Sequence, residues 1–407
     1  MIATIRKSEL NGIVEICPSK SYEQRAWAMS TLPRMEISIN GTGSSSDACA
    51  SKRIADKIKN THRPDNVFDC GESALCARMF PPIIALHTDN FTIDGHGSLM
   101  NRNIRTDLEF YEKNFGWEIS GNGLPIDIGN AKITPGHFQI DGSRTSQVTT
   151  GLMLALSAFN DNSTIRVVNP SSTGYILMTA AMANDAGAKI NVLQNSNTLE
   201  IKINGNDSYL KTELNVEGDW SNAAFVIAAG MRTDDIKISG LKSESLQPDR
   251  AIIEALYLCN AKFEWANDNL IIHKSDIQGF EFDASNYPDL IPPLCAIALH
   301  ANSKSKIFGT NRLIGKESNR LEAIVTELGK LGANITCTDN CLTIQPCTKI
   351  TSSTVDSHND HRIAMMLAIL GLSSDAIVLN GCECVNKSYP NFFDTLKQLG
   401  ANITIAP

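Results

Sequence analysis

No apolar stretch of the chain approaches the ~20 residues that a membrane-spanning helix needs, and Met1 to Cys17 contains no apolar h-region. It therefore reads as neither membrane-bound nor led by a signal peptide. Aromatic residues are sparse at 6%, and they form no strip interleaved with basic residues. Lys and Arg number 36 against 44 acidic residues, a net charge of −8. Both features argue against a nucleic-acid partner, which asks for a basic face and stacking rings. A cysteine framework is also missing. The 11 cysteines are odd in number and irregularly spaced, which fits free thiols in a reducing, cytoplasmic setting better than disulfides. Cys337 and Cys341 lie close together, but no second pair follows at zinc-site spacing, so no structural metal is expected. What remains is ordinary globular composition, 42% apolar and 20% charged over 407 residues. That length suits two domains.

A pattern recurs along the chain. A helix-like stretch ends in a small-residue stop, and alternating strand-like segments follow. The stops read Phe115-Gly116-Trp117, Ala186-Gly187-Ala188, Leu331-Gly332-Ala333 and Leu399-Gly400-Ala401. A fifth, Cys259-Asn260-Ala261, replaces Gly with Asn, the other residue that readily closes a helix in the left-handed conformation. The spacing of about 70 residues exceeds that of common solenoids, so each unit should be a small α/β fold. Ile335–Thr338 and Leu342–Ile344 alternate as strands, with Asp339-Asn340 as the turn. About six such units fit the length. The first is degenerate: Arg63-Pro64-Asp65-Asn66 stands where the stop and a strand are expected.

Basic residues cluster where helices are expected to begin, against the preference of a helix N-terminus for anions. Ser19-Lys20-Ser21 precedes a helix carrying Arg25. Asp141-Gly142-Ser143-Arg144-Thr145-Ser146-Gln147 precedes the apolar stretch Val148 to Phe159 and offers hydroxyls and an amide to phosphate oxygens. In Gly315-Lys316-Glu317-Ser318-Asn319-Arg320, a helical reading puts Lys316 and Arg320 on one face, with Glu317 three residues before Arg320. Asn359-Asp360-His361-Arg362 leads into the apolar run Ile363 to Leu370, with Asp360 as cap. Lys387-Ser388-Tyr389-Pro390 precedes Asn391-Phe392-Phe393. Singly, most of these read as an ordinary cap or a solvated cation, while the basic first turn His361-Arg362 on an apolar helix reads rather as an anion site. Together they gather more cations than one phosphate needs and suggest two anionic substrates.

These motifs, in this order and over nearly the whole chain, resemble the 5-enolpyruvylshikimate-3-phosphate (EPSP) synthase family. The resemblance implies an α/β fold of two similar domains, each of three βαβαββ repeats, an inside-out α/β barrel. One domain would span 19–216 and the other 1–18 plus 217–407, with the active site in the interdomain cleft. It implies transfer of the enolpyruvyl group of phosphoenolpyruvate to the 5-hydroxyl of shikimate 3-phosphate, without a metal or cofactor, by a monomer. The phosphoenolpyruvate site would use Lys20, Arg102, Gln147, Arg320, Arg362 and Lys387. The shikimate 3-phosphate site would use Ser21, Arg25, Thr145, Ser146, Gln147, Ser172, Tyr175, Asp289 and Lys316. Asp289 would be the base toward the hydroxyl, with Glu317 and Lys20 handling the methylene proton. The chain departs from the family pattern at Glu72-Ser73-Ala74-Leu75, where Ala74 replaces a glycine lining the phosphoenolpyruvate pocket, and at Pro18, where glycine is usual. The rival with the same fold is UDP-N-acetylglucosamine enolpyruvyl transferase, whose reactive Cys in a Gly- and Arg-rich loop has no counterpart here. An inactive, ligand-binding paralogue is a further alternative.

Overall fold

The computed structural model describes residues 1–60, 65–205, 211–233 and 235–407. The chain divides into two units: a discontinuous one, Met1–Ser19 with Glu217–Pro407, and a continuous one, Lys20–Val216. Strand pairing explains why the first residues belong with the second half. Ile2–Arg6 lies between Ile377–Asn380 and Asn402–Ala406, antiparallel to both, with Ile2 opposite Asn380 and Ala406. Gly12–Glu15 pairs in parallel with Ile236–Ser239. Ala3 and Ile5 alternate into the core at 0% exposure, so sliding the register by one residue would expose both.

The continuous unit carries helices α1 (Lys20–Met29), α2 (Ser46–Lys59), α3 (Ala74–Ile84), α4 (Ile104–Phe115), α5 (Gln147–Leu156) and α6 (Thr173–Asp185). The discontinuous unit carries α7 (Trp220–Gly230), α8 (Ile252–Leu258), α9 (Ile291–Leu299), α10 (Arg320–Lys330), α11 (His361–Gly371) and α12 (Phe392–Gln398). Every residue of α7, α9 and α11 is buried. A helix with no polar face has to be central, and these three pack on one another within a single core. By contrast α10 is amphipathic, burying Arg320, Ala323, Ile324, Glu327 and Leu328 along one stripe. In the continuous unit α3 and α5 play the central part. They approach so closely that a Cβ on Gly151 would stand 2.4 Å from the Met79 carbonyl oxygen.

The expected stops are where the helices close. Gly116, Gly187, Asn260, Gly332 and Gly400, following α4, α6, α8, α10 and α12, all have left-handed φ between 57° and 106°. Asp339 and Asn340, at φ 49° and 62°, make the two-residue turn between Ile335–Thr338 and Cys341–Ile344. Among the described residues there are six sheets, five of four strands and one of two. The two-stranded sheet, Glu36–Asn40 with Lys211–Asn215, belongs to the degenerate first repeat. There α2 ends on Asn60 in extended conformation. Arg63 and Pro64 of the expected irregular stop lie outside the described residues. The architecture is α/β, two units of three repeats, with one repeat shortened. No helix among the described residues is long and apolar enough to cross a membrane.

Candidate active site

In the discontinuous unit the three central helices all begin at a carboxylate. Asp219 caps α7, accepting from the Asn222 amide at 2.8 Å. Asp289 stands in the 3-10 turn Pro288–Leu290 just before α9. Asp360 caps α11, accepting from the Arg362 amide at 2.9 Å. Acids there complement the helix dipoles. Two buried arginines are threaded between them. Arg320 donates from Nε to Asp360 Oδ2 at 2.9 Å, from Nη1 to Asp289 Oδ1 at 2.8 Å, and from Nη2 to Glu317 Oε2 at 2.7 Å. Arg362 donates to Asp289 Oδ2 at 3.4 Å and to the Ser221 carbonyl at 2.9 Å. Arg362 thereby ties the starts of α7, α9 and α11 together. Ser318 adds a hydroxyl to Asp360 at 3.1 Å, and Lys387 Nζ donates to the Asn359 carbonyl at 2.8 Å.

This packing separates the ionisation of the acids. Burial alone would raise the Asp289 carboxyl, but Arg362, Lys316 and Arg320 hold it well below the usual carboxylate range. Asp249, whose carboxylate accepts the Ser221 hydroxyl, goes the other way: burial and the charge of Asp289 raise it to about 6, against the pull of Arg362. Burial lowers the Lys316 ammonium to about 8, opposed by Asp289. The array thus contains a firmly ionised carboxylate beside an amine lowered to about 8. Sequence reasoning missed Asp249, whose partner Ser221 lies 28 residues away and leaves no local pattern.

The continuous unit holds a second array at the starts of α1, α3, α5 and α6. Lys20 opens α1 and pairs with Asp47, in the first turn of α2, at 3.1 Å. Arg25, 2% exposed, donates to Thr179 Oγ1 at 2.7 Å and to the Ser21 carbonyl at 2.7 Å, and lies 5.3 Å from the centre of the Tyr175 ring. Among the described residues it has no carboxylate partner, and burial lowers its pKa, a situation an anionic ligand would relieve. Arg78 donates to Asp107 at 2.6 Å and to Gln147 Oε1 at 2.9 Å. Asp107 is shared with Arg144 at 3.1 Å. Arg102 follows the 3-10 turn Gly97–Asn101, near enough to contribute to lowering the Arg78 pKa, which burial chiefly depresses. Thr145 accepts from the Gln147 amide at 3.1 Å, and Ser146 and Ser172 occupy the residues just before α5 and α6, Ser172 at φ 51°. Arg78 and Asp107 were not anticipated; their contacts are tertiary and leave no local pattern.

Several expectations need correction. Lys316 and Glu317 do not lie on a helix, because α10 starts only at Arg320 and Gly315, at φ 76°, belongs to the preceding turn. The Glu317–Arg320 pair forms nevertheless. Lys387 ends the 3-10 turn Cys382–Lys387 and stands five residues before α12, not at its start. Ser19 gives its hydroxyl to Gln247 at 2.9 Å. Ala74 opens α3 behind the Ser73 cap, while Glu72 accepts from the Ser98 amide at 2.7 Å. A cavity of about 620 Å³ in the discontinuous unit, lined by Ala229, Ala296 and Leu370, lies at the far ends of α7, α9 and α11 and contains none of the candidate residues.

Fold and site together define an α/β protein that gathers buried basic side chains and carboxylates at the N-terminal ends of its central helices. Residues 5–396 match the family model described as EPSP synthase (3-phosphoshikimate 1-carboxyvinyltransferase). A 3-phosphoshikimate 1-carboxyvinyltransferase of Clostridium novyi (strain NT) is 32% identical over 425 residues, covering 97% of each chain. Among solved structures, EPSP synthase from Acinetobacter baumannii matches with a TM-score of 0.79 at 20% identity, over 99% of this chain and 100% of that one. The enolpyruvyl transferase NikO from Streptomyces tendae matches with a TM-score of 0.75 at 16% identity, over 100% of this chain and 99% of that one. At those identities the structural likeness shows the fold. This chain belongs to the EPSP synthase family.

Proposed function

We propose that this chain transfers the carboxyvinyl group of phosphoenolpyruvate to the 5-hydroxyl of shikimate 3-phosphate, releasing phosphate. The observation that carries the reading is the array at the starts of α7, α9 and α11, where Arg320 and Arg362 meet Asp289 in a chain of this family. The hydroxyl oxygen attacks C2 of phosphoenolpyruvate while its proton passes to Asp289. The methylene carbon gains a proton from the Lys20 ammonium, or from Glu317 in its carboxylic-acid form, giving a tetrahedral ketal. Phosphate then leaves, and the methyl group returns a proton to restore the vinyl ether.

The geometry supports these roles. Asp289 is ionised, the form that accepts a proton, but its two arginine partners make it a weak base. Anionic ligands that compete for Arg320 and Arg362 would weaken those pairs and raise its basicity when substrate is bound. In the same reading Lys20, Arg102, Gln147, Arg320, Arg362 and Lys387 hold phosphoenolpyruvate. Ser21, Arg25, Thr145, Ser146, Gln147, Ser172, Tyr175 and Lys316 hold shikimate 3-phosphate, together with Asp289. Neither unit alone supplies all these groups, so the reaction requires both to act on one ligand pair. A reducing cytoplasmic setting goes with the eleven free thiols.

A phosphate-release assay tests the proposal. Release is expected with phosphoenolpyruvate and shikimate 3-phosphate, and not with phosphoenolpyruvate and UDP-N-acetylglucosamine. Release with the UDP-sugar, or binding of both ligands without release, would reject it.

A further inference from the structure

The buried stripe of α10 includes a carboxylate that packing does not explain. Glu327 is 0% exposed and lies seven residues, two helical turns, beyond Arg320 on the same face. Lys330 Nζ reaches both its oxygens at 2.8 Å, the Asp356 amide donates to it at 3.0 Å, and His358 Nε2 lies 2.8 Å from Oε1.

The histidine is the informative partner. His358 and Asn359 are consecutive left-handed residues, each at φ 52°. Neither is glycine and both are exposed, so no burial of their side chains accounts for the turn. Left-handed L-residues suffer a clash between Cβ and the carbonyl oxygen, and they persist where the surroundings over-determine them. Here the Asp356 carboxylate accepts from the His358 amide at 2.6 Å, and the Ser357 hydroxyl accepts from the Asn359 amide at 3.2 Å. The Ser357 carbonyl accepts from the Asp360 amide at 2.9 Å. Glu327 faces the imidazole. What the turn delivers is the direction of one carbonyl: Asn359 O receives Lys387 Nζ at 2.8 Å. The next residue is Asp360, which caps α11 and holds Arg320.

We propose that the left-handed turn His358–Asn359, latched to Glu327, is the device that positions Lys387 for the phosphoenolpyruvate it is assigned to hold. The inference rests on the functional reading above for the ligand, but the latch stands on its own geometry. Glu327, His358 and Asn359 are positioning residues and touch neither reactant. If the Asn359 carbonyl swings away, Lys387 loses this acceptor and its ammonium moves, so the damage falls on the donor substrate.

Two substitutions at one exposed position isolate the backbone. Asn359→Gly and Asn359→Ala remove the same side chain, but only glycine keeps positive φ without strain. The glycine variant is expected to keep the KM for phosphoenolpyruvate within about twofold, and the alanine variant to raise it about tenfold or more, with the KM for shikimate 3-phosphate little changed. His358→Ala should resemble Asn359→Ala, and His358→Gln, which can still donate to Glu327, should recover part of the loss. A second readout needs no turnover: the rate at which an acylating reagent labels Lys387 in the free protein, mapped by mass spectrometry. Labelling should change in Asn359→Ala and His358→Ala and stay at the wild-type rate in Asn359→Gly. Equal labelling in Asn359→Ala and wild type, or equal KM in the glycine and alanine variants, overturns the latch. If labelling follows the expected pattern while the wild type turns over no phosphoenolpyruvate, the latch stands and the functional reading falls.

Discussion

Arg320 is 1% exposed and meets three carboxylates, Asp289, Glu317 and Asp360. Arg362 and Lys316 supply two more positive charges beside them, and Asp219 and Asp249 add two more acids around Arg362. Buried ions tolerate such company only while the pairing is complete, and removing one partner typically costs about 3–5 kcal/mol. On the proposed function, an incoming phosphate competes with these carboxylates for the same cations. Lys316 gives a direct check. Its ammonium, lowered by burial to about 8, is charged below that pH and loses its charge as pH rises through it. If the charged form holds the acceptor phosphate, kcat/KM for shikimate 3-phosphate should fall above about pH 8. Lys316→Arg keeps its charge throughout, so its profile should stay flat there at a lower absolute rate. The same break near pH 8 in both proteins would remove Lys316 from the explanation.

At the scale of elements, the arrays depend on how closely helices approach. Gly151 lets α5 lie against α3, where an added Cβ would meet the Met79 backbone. The next residue back, Arg78, makes the contact to Gln147. Gly151→Ala should therefore cost about 1–3 kcal/mol in overpacking and displace Gln147 from Arg78. A lower melting temperature together with a higher KM for phosphoenolpyruvate is expected. A lower melting temperature with unchanged KM would show that the Arg78–Gln147 contact is not needed. This scale also marks the reach of sequence reasoning. The stops at Gly116, Gly187, Asn260, Gly332 and Gly400 were legible because a left-handed helix end demands Gly or Asn. The buried helix α11 was legible because Ile363 to Leu370 has no polar face. The placement of Lys316 and Glu317 was not, since their spacing from Arg320 suits a helix and only the positive φ of Gly315 moves them into a turn. Asp249, Arg78 and Asp107 were hidden for a related reason: their partners Ser221, Asp107 and Arg78 are distant in sequence, and no local spacing marks such a pair.

For the whole molecule, an acidic chain of net charge −8 gathers cations in two places, one in each unit. Lys20, Arg25, Arg78 and Arg102 belong to the continuous unit, and Lys316, Arg320, Arg362 and Lys387 to the discontinuous one. The repeats put a helix start at each place, and the proposed function assigns those starts a shared chemistry. The central claim is that both arrays serve one pair of ligands. Calorimetric titration of phosphoenolpyruvate without shikimate 3-phosphate, so that no turnover occurs, tests it on two variants of matched shape, Lys20→Met in one unit and Lys387→Met in the other. A charge-assisted contact is worth about 1.5–3 kcal/mol, so each variant is predicted to bind phosphoenolpyruvate at least about tenfold more weakly than wild type. Wild-type affinity in either variant would contradict the account.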